Sequence, residues 1–392
     1  METQPDEHRF PLDGVRVLDL SRALSGPLAG RILSDLGAEV VKVELAGADI
    51  AQGFGRKIHG RSGLYTQLNA GKRSVALDLR TDEGSATLLR LAQVCDIVVE
   101  NFRPGVLDRL GIGWPQLSAV NPALLLLSIS GFGQWGPQAQ RQAYAPIIHA
   151  EAGLIGRQAE ISGEPPADIA FALADSLAGL HGTIALLAAL RLRDQTGLGQ
   201  HIDLSMFEAM LATDDYTHYS LDDDLPGRPA RGEVWQATGG PIMIASDRRH
   251  TWHQLTIHAG LRDPDRRAPQ QQRIAARAEL IAAWIASFTD RNLLKQALTD
   301  ADLAWADIRD PAAVLDQPTV TARGVVAMVD DGGGGQRPVI RMPYRFSRAR
   351  AEPRGGAAST GEHTCDVLYR WLHPASGDRV TDQSSGDRVT DQ

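Results

Sequence analysis

The chain has 392 residues, 43% hydrophobic and 22% charged, with 48 acidic against 40 basic side chains and a formal net charge of −8. That length leaves room for more than one domain with a sizeable core. The scattered Lys and Arg lack the concentrated basic face that general nucleic-acid binding requires, so no nucleic-acid partner is expected. Cys95 and Cys365 lie far apart and outside any C-x-x-C or Cys/His cluster, which indicates neither a disulfide framework nor a zinc site, and no metal is expected. The start METQPDEHRF is polar, and no apolar run reaches roughly 18 residues without interruption. We therefore expect no signal peptide, no membrane partner and a cytoplasmic location.

Residues 15–20, VRVLDL, form a short β-branched run, 26–36 carry a helical pattern closed by Gly37, and 39–43 read as a second strand. This is a βαβ unit, which implies parallel strands joined by a right-handed crossover. Glu44 ends the second strand, but the first turn reads SRALSGP and lacks G-x-G-x-x-G, so a nicotinamide cofactor is not indicated. Strands are expected at 74–79, 96–100 and 123–130, with a helix at 82–94 and two short helical segments before the last strand. The alternation predicts an α/β fold: a mostly parallel, Rossmann-like sheet with helices on both faces. Ligands of such sheets bind where strands end, which singles out the loops SRALSGP at 21–27, NFRPG at 101–105 and GFGQWGP at 131–137.

Residues 171–192 contain one acid, Asp175, in an otherwise apolar or small run. Leu177, Leu180, Ile184 and Leu187 recur at three- and four-residue steps, the period of a buried helix face, and put Asp175 at a helix start. Two readings stand for it: an N-cap accepting orphan backbone N–H groups, or a carboxylate nucleophile kept ionised by the helix N-terminus. A strand at 200–204 and a helix at 207–211 complete a large domain over 12–215. The acidic and Pro/Gly/Arg-rich 216–235 reads as a linker. A smaller α+β domain follows at 236–318, with a strand at 241–245, a largely helical 253–315, and Trp252, Trp284 and Trp305 as core anchors. Residues 319–372 are expected to return to the large domain through a β-hairpin, 324–329 and 338–341, around a glycine tip at 332–335. No helix or Lys-Ser/Thr follows that tip, so it reads as a turn and not a phosphate loop. Residues 1–11 and 373–392, the latter holding SGDRVTDQ twice, are expected to be disordered.

Five of these segments occur together: VLDLSRALSGP at 17–27, the stretch 35–44, LNAGKRSVALDLR at 68–80, ENFRPG at 100–105 and GFGQWGP at 131–137. In this order and spacing the chain, from about residue 12 to 372, resembles the family III coenzyme A transferases. That group includes formyl-CoA and carnitine CoA-transferases and the α-methylacyl-CoA racemase. The resemblance implies that 12–215 binds CoA, that the nucleophile is Asp175 in a D-x-x-x-G context with Gly179, and that the protein is an interlocked homodimer. It implies transfer of CoA from an acyl-CoA donor to a carboxylic acid acceptor through an aspartyl anhydride and an aspartyl-CoA thioester. The CoA thioester is then a substrate, and no permanently bound cofactor is expected. The implied CoA contacts are Leu24 and Ser25, Asn69, Ala70, Gly71 and Lys72, Asn101, Phe102 and Arg103, Arg109, Gln142 and Tyr144.

The chain departs from the family's pattern at Leu45, at His149 and Glu151, and in having only Gly239 and Gly240 where some members carry a glycine-rich lid. His149 is placed at the possible acyl pocket, either as an acid/base group or as a polar wall. The alternative activity is racemisation of a 2-methylacyl-CoA, which needs two groups on opposite faces of the α-carbon. The racemase's histidine position aligns with Tyr144, whose ordinary pKa of about 10 suits it poorly to accept a proton at neutral pH.

Overall fold

The computed structural model describes residues 9–45, 47–222, 232–263, 265 and 267–373. The chain forms two compact units, 1–218 with 323–392, and 219–322. The termini expected to be disordered, apart from residues 9–11 and 373, and the middle of the expected linker lie outside the described residues.

The larger unit is built on six parallel strands: β1 (Arg16–Asp19), β2 (Glu39–Glu44), β3 (Arg73–Ala76), β4 (Ile97–Glu100), β5 (Leu125–Ser130) and β6 (Gln200–Ser205). Their order is β3-β2-β1-β4-β5-β6. This is the doubly wound arrangement, and the direction of winding reverses between β1 and β4. The four central strands, β2, β1, β4 and β5, are buried on both faces, so alternate residues feed two cores. Val17, Val40, Ile97 and Leu125 enter one core, and Leu18, Val41, Val98 and Leu126 enter the other. The near-continuous Val/Ile/Leu runs that marked these strands in the sequence follow from that double covering.

Three helices position the site: α1 (Ser25–Asp35), α2 (Ala145–Glu151) and α3 (Leu173–Thr196). The face of α3 differs from the expectation. Its buried residues are Ala174, Ala178, Gly179, Gly182, Thr183, Leu186, Ala189 and Leu190, while Leu180, Ile184 and Leu187 are 41%, 62% and 37% exposed in the single chain. The small residues are inside because α3 packs closely. A Cβ on Gly179 would lie 2.7 Å from the Ser25 carbonyl oxygen, and one on Gly182 would lie 2.9 Å from Leu127. Among the described residues α3 is the one helix long and apolar enough to cross a bilayer. Here its small-residue face is packed into the core of the larger unit.

The smaller unit has a three-stranded antiparallel sheet, Glu233–Trp235, Ile242–Ile244 and Trp305–Asp307, covered by helices Arg248–His258, Gln270–Ala286 and Arg291–Asp300. Two expectations are corrected here. Residues 233–235, read as linker, form a strand because Trp235 enters the core of this unit. Trp305, read as helical, sits on the third strand and packs on the edge of the same core, as Trp284 does, while Trp252 is buried. The hairpin is present as Val326–Asp330 paired with Gln336–Ile340.

Candidate active site

The loop leaving β1 is tied down from four sides. Asp19 Oδ1 accepts the Ser21 N–H at 3.0 Å and the Ser21 hydroxyl. Lys42 Nζ donates to the Ser21 carbonyl at 2.8 Å and pairs with Asp49 Oδ2 at 3.0 Å. Asp49 Oδ1 accepts the Ala23 N–H at 3.0 Å, which holds Ala23 at a φ of +64°, in the left-handed region a β-carbon disfavours. From the end of β4, Asn101 reads the backbone of Arg22 in both directions, its Oδ1 accepting the N–H and its Nδ2 donating to the carbonyl, each at 2.8 Å. The switch point between β1 and β4 thus fixes where α1 begins, at Ser25.

Asp175 is the third residue of α3 and not its cap. Ala172 occupies the N-cap position and makes no side-chain capping bond. Gly179, one turn further on, lets α3 approach the first turn of α1 so that Asp175 faces Ser25. Burial pushes the Asp175 carboxyl above its ordinary pKa, against the opposing influence of the Ser25 hydroxyl and N–H and of the Ala145 N–H. Ser25 and Ala145 are the first residues of α1 and α2, so the carboxylate meets the N-terminal ends of two helices besides its own.

Beside Asp175 lies a cavity of about 420 Å³ lined by all three ligand loops. Of the expected contacts it brings together Ser25, Asn101, Phe102, Arg103, Gln142 and Tyr144, with Arg22 and Arg141 added. Tyr144 is 65% exposed. Leu24 and Arg109 are not among the lining residues.

The segment 69–72 is also absent from that lining, and the structure gives it a different task from the phosphate pairing that the resemblance implies for Lys72. The buried Lys72 ammonium donates to Asp19 Oδ2 at 2.7 Å, the Pro27 carbonyl at 2.8 Å and Asn69 Oδ1 at 3.0 Å. Three acceptors use its three hydrogens. Asn69 turns its own Nδ2 to the Tyr65 carbonyl, Ala70 is buried, and the Gly71 N–H bonds to the Gly356 carbonyl.

His149 is fully buried at the end of α2. Its Nδ1 lies 2.8 Å from Asp168 Oδ1, and its Nε2 accepts the Ala174 N–H at 3.2 Å. An acceptor at Nε2 puts the proton on Nδ1, facing Asp168. The ring therefore braces the first turn of α3 with both nitrogens occupied, and it is not among the residues lining the cavity. Glu151 pairs with Arg141. Asp19, Lys42, Asp49 and Asp168 escaped the sequence reading because their ionisable partners lie 7 to 53 positions away along the chain and their other partners are mostly backbone groups.

The chain matches CoA-transferase family III over residues 12–364. It is 31% identical to the succinyl-CoA–L-malate CoA-transferase alpha subunit of Chloroflexus aurantiacus, covering 93% of this chain and 90% of the relative. The succinyl-CoA–D-citramalate CoA-transferase of the same organism is 33% identical, covering 91% and 93%. The succinate–glutarate CoA-transferase of Agrobacterium fabrum is 30% identical, covering 93% and 97%. Among solved structures, a CAIB/BAIF family protein from Brucella suis superposes with a TM-score of 0.80 at 31% identity, covering 93% of this chain and all of that one. With the motifs, the fold and these matches in agreement, the chain belongs to the family III CoA-transferases and is an acyl-CoA:carboxylate CoA-transferase.

Proposed function

We propose that Asp175 carries the transfer covalently, and the observation behind this is its half-buried, desolvated and basic carboxylate at the edge of a cavity and facing two helix N-termini. One Asp175 oxygen attacks the thioester carbonyl of the donor, and collapse of the tetrahedral oxyanion expels CoA thiolate and leaves a mixed anhydride. The thiolate then attacks the Asp175 carbonyl carbon, releases the donor acid and forms an aspartyl-CoA thioester. The acceptor carboxylate repeats the sequence in reverse: it displaces thiolate to form a second anhydride, and the thiolate takes its acyl group and frees Asp175. Each step exchanges bonds of comparable energy. The N–H groups of Ser25 and Ala145 supply donors where negative charge develops on the Asp175 side.

Arg22, Arg103 and Arg141 on the cavity wall suit an anionic ligand set: the phosphates of CoA and a carboxylate acceptor. The relatives' names pair succinyl-CoA or succinate with malate, citramalate or glutarate, and we infer short dicarboxylic acids as the substrate class. Against racemisation stand Tyr144 at the cavity and the engagement of both His149 nitrogens within the fold. We also infer a homodimer in a cytoplasmic setting, since the exposed Leu180, Ile184 and Leu187 stripe is apolar surface that a second copy would cover.

The test is mass spectrometry of the protein treated with succinyl-CoA and hydroxylamine, which converts an aspartyl acyl group to a hydroxamate on the peptide carrying Asp175. Asp175→Asn preserves shape and is expected to lower turnover more than about 10³-fold with the fold intact. Near-normal turnover in that variant, or a hydroxamate elsewhere, would overturn the mechanism.

A further inference from the structure

Two of the four covalent steps above take place at the carboxyl carbon of Asp175 itself. When thiolate attacks the anhydride there, or acceptor carboxylate attacks the aspartyl thioester, the new bond forms at that carbon. The displaced π pair then goes to an Asp175 side-chain oxygen. Collapse of that oxyanion expels the donor acid in the first case and thiolate in the second. The donors that matter for these steps are those already aimed at the Asp175 carboxyl group, and one of them is a side chain. Ser25 lines the same cavity as Asp175 and acts on its carboxyl through the hydroxyl as well as the N–H, and the Ser25 side chain is buried at the head of α1.

That hydroxyl is oriented. Asn101 Nδ2 donates to Ser25 Oγ at 3.2 Å while also donating to the Arg22 carbonyl. With Oγ accepting from Asn101, its own proton is directed away from that amide and toward Asp175. The arrangement is fixed on the other side as well, because a Cβ at Gly26 would lie 2.2 Å from the Ser21 Cβ and 3.5 Å from the Asn101 Cγ. Asn101 spends its amide on the Arg22 backbone and on Ser25, which differs from the ligand contact that family resemblance implies for it.

We propose that the Ser25 hydroxyl is the side-chain member of an oxyanion hole built around the nucleophile's own carboxyl group, and that Asn101 is the positioning residue that aims it. This rests on Asp175 being the nucleophile. Ser25 and Asp175 line the same cavity, and a hydroxyl proton aimed at the carboxyl interacts more strongly as full charge returns to that oxygen in each tetrahedral intermediate.

The experiment measures kcat, KM for succinyl-CoA and the pH profile of kcat/KM in Ser25→Ala, Asn101→Asp and Asp175→Asn. Ser25→Ala removes one donor and is expected to lower kcat about 10- to 100-fold, with KM changed less than about 3-fold. Its acid limb should move to higher pH, because Asp175 loses a hydrogen bond to its ionised form. Asn101→Asp keeps the acceptor to the Arg22 N–H but takes the Ser25 proton for itself, so it should lose at least as much kcat and shift the limb the same way. A rise in KM with kcat preserved in Asn101→Asp would make it a ligand contact and overturn the proposal. So would unchanged kcat and pH profile in Ser25→Ala. If Asp175→Asn is inactive while both other variants behave as wild type, the hydroxyl's role falls alone. If Asp175→Asn is active, the covalent reading falls with it.

Discussion

Gly179→Ala separates the packing of α3 from its catalytic geometry. The added Cβ would sit 2.7 Å from the Ser25 carbonyl oxygen and 3.1 and 3.2 Å from Leu28, where ordinary contact begins at 3.4 Å. The clash at Ser25 is with backbone, which cannot rotate away, so α1 and α3 must part by about 0.5 Å or more at the point where Asp175 faces Ser25. Overpacking of this size costs about 1–3 kcal/mol, offset by up to about 1 kcal/mol from replacing glycine in a helix interior. The net loss of about 1–2 kcal/mol corresponds to a fall in Tm of a few degrees in a unit of this size. The catalytic effect should be larger, because a misplacement near 1 Å costs on the order of 10²-fold in rate. We expect kcat to fall about 10-fold or more. Gly182→Ala on the same helix is the control, since its Cβ would meet at 2.9 Å only the end of the Leu127 side chain, which can move. It should lower Tm less than Gly179→Ala does and stay near wild type in kcat. Equal kcat in the two variants would refute the claim that Gly179 serves the approach of Asp175 to Ser25.

Glu100, the last residue of β4, is buried and accepts the Phe102 N–H at 2.7 Å, and burial raises its pKa to about 7. A carboxyl with a folded pKa above its unfolded value favours the native state at low pH, and that advantage is lost as pH rises from 4.5 to 7. Over that window wild type should lose up to about 3 kcal/mol relative to Glu100→Gln in denaturant titrations, and parallel curves would count against it. The raised pKa of Asp175 places the acid limb of kcat/KM above 3.8, the ordinary value, because the ionised form attacks; a limb at or below that value would contradict the desolvated site. His149→Gln should cost about 1–2 kcal/mol of stability through the lost Asp168 and Ala174 contacts. Wild type should show no α-deuterium uptake from 2-methylacyl-CoA in deuterated water, and prompt uptake abolished by His149→Gln would revive the racemase. Sedimentation should find a dimer that Ile184→Glu weakens, and a stable wild-type monomer would remove the assigned role of the exposed α3 stripe.

The parallel sheet was legible because strands covered on both faces must be almost wholly apolar, and 15–20, 96–100 and 123–130 carry that signal without ambiguity. The ligand loops were legible for a related reason: strand ends punctuated by Gly and Pro stand out between such runs. The faces of α3 were not. A three- and four-residue repeat of Leu and Ile looks like a core stripe, but Gly179 and Gly182 pack closer than leucine could, so the small side went in and the large side stayed out. Lys72 shows a second limit. A lysine beside a glycine reads as a surface charge available to a phosphate, and only the fold reveals that Asp19, far earlier in the chain, waits 2.7 Å from its ammonium. His149 is similar, since a ring near a nucleophile suggests acid/base work until both nitrogens are found engaged.

The two electrostatic influences on Asp175 pull in opposite directions, and the outcome bears on the chemistry. Donors from α1 and α2 would by themselves make the carboxylate a weak base and hence a sluggish nucleophile, the state of a carboxyl saturated with N–H groups at a helix cap. Burial works against them and prevails, since the net displacement is upward. The resting carboxylate thus keeps basicity for attack, while the same donors remain in place for the oxyanion that returns to its oxygens later in the cycle. A true N-cap would have lost the first property. Seating the acid at the third position of α3, with Ala172 as the cap, lets the helix dipole act on Asp175 without its oxygens being consumed by the helix's own orphan N–H groups. The small-residue face of α3 is what brings that acid to the donors of a neighbouring helix, so the packing that defied the sequence pattern is also the packing that builds the site.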